Sequence, residues 1–131
     1  MRLPLVAALL ALLAGGAAPA LAEVRVTDGL GRGVALAGPA RRVLTLAPSI
    51  TEAAFALGAG SRVVGASAYS DWPPEAARLP VVSSSAGIDF ESVARLAPDL
   101  VVAWRDSFRV ESIPRLEALG ARVYVDTSRT L

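Results

Sequence analysis

From residue 41 onward the chain alternates short apolar runs with stretches whose apolar positions recur three and four residues apart. Val43 to Leu46 is a run of strand type, stopped by Pro48. Beyond it Ile50, Ala53, Ala54 and Leu57 share one helical face. Ser49 stands three residues before Glu52, the spacing of a capping box. Gly58 is placed to end that helix in a left-handed cap. Val63-Val64-Gly65 opens the next apolar run, so 43–66 is expected to be a βαβ unit with parallel strands. The rhythm then repeats. Val81-Val82 is a brief extended piece, and Ser83–Gly87 reads as a loop. Asp89 caps a helix carrying Val93 and Leu96, with Pro98 beyond its end. Leu100–Ala103 is a buried-type strand that ends in Trp104-Arg105. "DSFRVESIPRLEALG" predicts a second or broken helix, with Pro114 in its first turn or at a kink and Gly120 as its stop. Arg122–Val125 is the last strand. Upstream, the alternation in "EVRVTDGLGRGVAL" (23–36) predicts a hairpin. Strands alternating with helices through short links predict an α/β fold, a parallel sheet flanked by helices.

The amino terminus has a different pattern. Arg2 precedes an apolar run from Leu3 to Leu13, then glycines and Pro19, then the small-x-small site Ala20-Leu21-Ala22. This is the layout of a secretory signal peptide. The run is too short for the roughly 20 apolar residues of a bilayer span. Cleavage is expected after residue 22, leaving a product that starts at Glu23. The composition of 53% hydrophobic residues is inflated by this segment.

Charge and composition narrow the function. Without Arg2, 12 basic residues face 12 acidic ones, all the basic ones arginine, so the remainder is neutral. That gives no electrostatic footprint for nucleic acid. There is no Cys and no His. Disulfides, thiol nucleophiles, Cys/His metal sites and histidine-based triads are therefore excluded. Attachment of lipid to an N-terminal cysteine is excluded too, so a soluble exported product is expected. The glycines at 29, 31 and 33 do not fit G-x-G-x-x-G, and no G-x-S-x-G elbow is present. An enzyme reading thus lacks a catalytic residue or cofactor loop. Asp71, Glu75 and Asp89 read as loop or helix-start acids.

Aromatics make up only 5% of the chain. Tyr69 and Trp72 nevertheless sit together in "SAYSDWPPEA", a loop stiffened by Pro73 and Pro74. In parallel sheets ligands lie outside the carboxyl ends of the strands. Tyr69 and Trp72 follow the second strand, and Trp104 and Arg105 follow the third. These four are the candidate ligand-binding residues, because rigid aromatic faces give contact area with few rotors to freeze. No catalytic or metal-ligating residue is expected.

The runs "VLTLAPSITEAAFALGAGSRVVGASAYSDWPPEA", "DFESVARLAPDLVVAW" and "LEALGARVYV" resemble the periplasmic substrate-binding proteins of ABC importers for cobalamin, iron–siderophores and haem. The cobalamin-binding members are the most similar. The resemblance spans 41–131, and the family often carries a hairpin like 23–40. It implies a Rossmann-like lobe, one of two bridged by a long helix with the ligand between them. The second lobe is absent from this sequence, which stops about where that helix would begin. The implied function is a monomeric periplasmic binder, with no cofactor of its own. It would take cobalamin, haem or a ferric siderophore and deliver it to a membrane permease. A truncated product that binds nothing is the alternative. By motif, Tyr69 matches a corrin-contacting tyrosine and Trp104 a tryptophan at the cleft. Ser85 stands where the cobalamin-binding members have another tryptophan. Glu91 matches a surface glutamate that meets an arginine of the importer.

Overall fold

The computed structural model describes residues 3–13 and 22–129. Its elements are α1 (Leu3–Leu13), β1 (Val24–Thr27), β2 (Gly33–Leu36), β3 (Val43–Thr45), α2 (Pro48–Ala56), β4 (Val63–Ser67), β5 (Val81–Ser84), β6 (Gly87–Ile88), α3 (Phe90–Leu96), β7 (Leu100–Trp104), α4 (Ile113–Ala118) and β8 (Arg122–Asp126). The central sheet has six strands in the order β6-β5-β4-β3-β7-β8. All pairings are parallel except β5–β6. The chain starts at the centre with β3, winds outward through β4 and β5, and returns to β3's other side with β7. This is the α/β lobe that the pattern predicts.

Alternation along the strands builds two cores, one on each face of the sheet. Val43, Leu100, Val102 and Tyr124 pack with α2, the hairpin β1–β2 and α1. Leu44, Val101, Val123 and Val125 pack with Val93 of α3 and with Ile113 and Leu116 of α4. Leu5, Leu9 and Leu12 of α1 are fully buried on the first face. The Leu12 carbonyl accepts from Ala40 N–H at 2.8 Å, and the Arg62 guanidinium donates to the Leu13 carbonyl. The expected processing site lies outside the described residues except for Ala22. Among the described residues no helix is long and apolar enough to cross a membrane.

Two local expectations are corrected. Ser49 does not cap α2: the N-cap is Ala47, with no side-chain cap bond, and Pro48 occupies the first turn. Proline has no N–H to satisfy and a preset φ, so it starts the helix before the serine is reached. Ser83–Gly87 is not an open loop. β5 continues to Ser84 and turns back into β6, with Gly87 at φ 116. "DSFRVESIPRLEALG" takes the broken form of the expected helix, with 3₁₀ turns at Arg105–Ser107 and Val110–Ser112 and a six-residue α4 that has Pro114 in its first turn. Gly58 and Gly120 do end their helices at positive φ, 79 and 94.

Asp28 joins the hairpin to the sheet. It is 5% exposed, and its carboxylate accepts from Arg32 Nε at 3.1 Å and Nη2 at 3.0 Å. It also accepts from the N–H of Leu30, Arg32 and, across the fold, Val125. Arg32 Nη2 donates onward to the Val123 carbonyl at 2.8 Å. The hairpin turn thereby covers backbone groups of β8, the outer strand on that side. Removing one partner of such a buried pair strands the other. Asp28→Ala is therefore expected to cost about 3 kcal/mol, read as a lower denaturation midpoint in urea. A loss within experimental error would show that the hairpin is not held through this carboxylate.

Asp89 caps α3 as expected, accepting from Ser92 Oγ at 2.6 Å and Ser92 N–H at 3.1 Å. The Ser92 hydroxyl, then its amide, holds the carboxyl below its ordinary value of 3.8. A carboxyl lowered by folding stabilises fully above the unfolded value, and the gain is lost as pH falls through the folded value. Asp89→Ala should melt below the parent at neutral pH, with the gap closing in acid. Asp89→Asn, which caps without a titrating group, should stay near the parent at neutral pH and melt above it in acid. A gap that is constant with pH would remove the carboxylate from the account.

Candidate ligand-binding cleft

The carboxyl ends of all five parallel strands emerge on one rim of the sheet, and the reversal of winding lies at β3. An open cleft of about 400 Å³ lies there. Such a site is where ligands bind in open α/β sheets. Leu46 and Pro48 line it from the end of β3, and Ser67, Ala68 and Tyr69 from the end of β4. Ser83–Ser85 and Ile88 contribute from the β5–β6 turn. Ser107, Phe108 and Arg109 contribute from the turns after β7. The result is an apolar floor edged by serine hydroxyls, with Arg109 as the one charged side chain on the wall among the described residues. This wall offers contact area and hydrogen bonds, but no acid–base pair.

Tyr69 is 85% exposed at φ 66. It follows Ala68 in a turn closed by Ser70 N–H to the Ser67 carbonyl, a position that requires positive φ. Placing a side chain there costs about 1–2 kcal/mol. A core tyrosine would avoid this geometry; here it projects the ring into solvent at the lip of the cleft.

The other candidates are not brought to this cleft. Trp72, 65% exposed, lines a separate depression with Glu52, Phe55 and Glu75. Trp104 is half-buried against the first core, and its indole N–H donates to the Ser128 carbonyl at 3.0 Å. Arg105 is exposed in the first turn after β7. Ser85 does line the cleft. Glu91 projects from the first turn of α3 with its side chain 86% exposed, paired with Arg95 at 3.3 Å. Phe108 and Arg109 were not among the sequence candidates, because "DSFRV" reads as helix rather than as strand-end loop. Extending the strand-end rule past the first two residues after β7 would have found them.

The sequence pattern of the periplasmic binding protein family matches residues 43–130, the whole of the sheet from β3 onward. The chain belongs to the periplasmic binding protein family. Among its curated relatives, the vitamin B12-binding protein of Vibrio campbellii is 39% identical over 94 residues, 72% of this chain and 34% of the relative. The crystal structure of the periplasmic vitamin B12-binding protein of Vibrio cholerae aligns with a TM-score of 0.64 at 38% identity. It covers 70% of this chain and 36% of that one. A periplasmic haem-binding protein from Pseudomonas aeruginosa aligns at 0.61 with 28% identity, over 66% of this chain and 31% of that one. The chain thus spans about a third of the length of the relatives it matches. As a periplasmic binding protein it has its cleft where the fold's winding reverses.

Proposed function

We propose that this chain is one lobe of the exported substrate-binding component of an ABC importer. On this reading it takes up a cobalamin-like or other large metal chelate in the periplasm and hands it to a membrane permease. Residues 1–22 are assigned as the export leader, 23–40 as the amino-terminal hairpin and 41–131 as the lobe, which acts as a monomer with a second lobe completing the cleft. The observation that carries the reading is the strand-end cleft with an exposed tyrosine at its lip, in a chain similar to vitamin B12-binding proteins. A corrin or porphyrin is broad, flat and partly apolar, and suits an aromatic wall with polar edges. Tyr69 is assigned to the contact face. Trp72, Trp104 and Arg105 are assigned to the rim that a chelate wider than the cleft would reach.

Ser85 and Arg109 favour a second ligand class within the same function. A serine in place of an aromatic shortens one wall, and a cation suits a chelate with carboxylate edges, such as haem or a ferric siderophore. Titration of the full-length protein with cyanocobalamin, with hemin and with a ferric siderophore, each separately, decides between them. Saturable binding of one supports the import reading and names the class, and failure of all three overturns it. Tyr69→Ala should weaken the bound chelate by about 1–3 kcal/mol, and unchanged affinity with an intact fold would remove Tyr69 from the site.

Glu91 is assigned to docking on the permease. Asp89 already caps α3, so the helix start does not require the second acid. The exposed pair with Arg95 is of a kind worth little, which leaves the carboxylate available to an arginine of a partner. Rim charges chiefly set encounter rate and orientation. Glu91→Arg should leave chelate affinity intact and reduce importer binding and uptake, most at low salt. Normal uptake, or a loss of chelate binding instead, would place Glu91 outside the docking surface.

A further inference from the structure

Four buried hydroxyls lie directly beneath the turn that carries Tyr69. Thr45 is on β3, Thr51 on α2, Ser67 at the end of β4 and Ser70 in the turn itself. Thr45 Oγ1 and Thr51 Oγ1 are 2.7 Å apart, Thr51 Oγ1 donates to Ser70 Oγ at 3.0 Å, and Ser70 Oγ lies 3.1 Å from Ser67 Oγ. Each hydroxyl has one proton and two lone pairs. A head-to-tail chain from Thr45 through Thr51 and Ser70 to Ser67 therefore uses three of the four protons once each and leaves that of Ser67 free to donate outside the chain. The Ala47 carbonyl, 3.2 Å from Thr51 Oγ1 at the first turn of α2, is a longer second acceptor for the same proton.

Buried polar groups at a strand–helix junction cost desolvation that apolar side chains of the same shape avoid. What hydroxyls add is direction, because hydrogen bonds have preferred angles and apolar contacts do not. Here the direction is imposed on a turn with sparse backbone ties. Ala68 N–H donates to the Ser83 carbonyl at 2.7 Å, and Ser70 N–H reaches the Ser67 carbonyl at a long 3.3 Å. The aromatic ring has no packing of its own to fix it, being 85% exposed.

We propose that the Thr45–Thr51–Ser70–Ser67 hydroxyl chain is a positioning device that fixes the Tyr69 turn, so that the ring is aimed before ligand arrives. Thr51 and Ser70 are thus positioning residues, acting through Tyr69 without touching ligand. The inference rests on the reading of Tyr69 as the contact face. Preorganisation of this sort raises affinity by lowering the ordering cost of binding.

The test has two readouts. The chain contains two tyrosines, Tyr69 and Tyr124, so labelling with 3-fluorotyrosine gives two fluorine resonances, assigned through Tyr69→Phe. Thr51→Val, close to the parent in shape, and Ser70→Ala should each move or broaden the Tyr69 resonance without ligand and leave that of buried Tyr124 in place. Thr51→Ser should restore the parent spectrum. An unchanged Tyr69 resonance in both variants, or equal disturbance at Tyr124, overturns the proposal. The second readout is the affinity of the full-length protein for cyanocobalamin, hemin or the ferric siderophore, whichever saturates in the titration above. Thr51→Val should weaken it about tenfold, equivalent to about 1.4 kcal/mol, but add nothing in a Tyr69→Ala background. A loss that persists undiminished in that background means Thr51 acts through general stability, and overturns the proposal. If Tyr69→Ala alone leaves affinity unchanged, the contact-face reading fails, while the fluorine spectra still decide whether the hydroxyls hold the turn.

Discussion

Everything functional in this lobe depends on a three-residue strand paired on both sides in the same direction. β3, Val43–Thr45, is wholly buried and lies between β4 and β7. Parallel pairing sends every carboxyl end of the sheet to one rim. The chain leaves β3 towards β4 and later returns to β3's other flank, so the loops on that rim diverge and leave a gap between them. The cleft is a consequence of winding order. The same strand alternates Val43 and Leu44 between the two cores and ends on Thr45, whose hydroxyl starts the buried chain under Tyr69.

A sheet so arranged has two outer strands to protect. On one side β5 folds back as the two-residue β6. On the other, the hairpin turn at Asp28 reaches across and accepts from Val125 N–H, while Gly29 N–H donates to the Val125 carbonyl at 2.8 Å. Gly29 is needed at that approach, since a Cβ there would stand 2.4 Å from the Thr127 hydroxyl. The carboxylate of Asp28 is buried at a cost, offset by five donors, two of them from the Arg32 guanidinium. The first device borders the cleft, the Ser83 carbonyl accepting from Ala68 N–H beside Tyr69, yet it leaves the tyrosine ring open to solvent.

Apart from β6, the strands and their order of succession were legible because each is a short apolar run closed by a turn residue, and such runs can only be buried. The left-handed caps at Gly58 and Gly120 were legible for the same local reason. Ser49 was misread because two N-terminal signals, proline and serine, stood side by side, and position rather than side-chain chemistry decided between them. The grouping of side chains was less legible. Two residues of one loop, Tyr69 and Trp72, face different depressions because the chain turns between them, which a linear spacing cannot show. The hydroxyl chain was invisible for a different reason. Its four members come from three separate elements and a turn, and no pattern of serine and threonine in the sequence marks them as neighbours.

The exposure of Tyr69 is the point at which fold and proposed ligand meet. A ring left 85% in water forgoes the burial that would otherwise favour it, and its backbone is held at positive φ besides. Local stability alone would select a glycine at the turn, with the aromatic placed in the core. A tyrosine there is accounted for if its apolar face is buried by something outside the lobe. A flat chelate lying on a cleft of about 400 Å³ would be covered on one side only, near the low end of the range for small-molecule sites. The tyrosine then contributes contact area that the shallow floor lacks, and holding it rigid from beneath lets that area count towards affinity instead of being spent on ordering the turn.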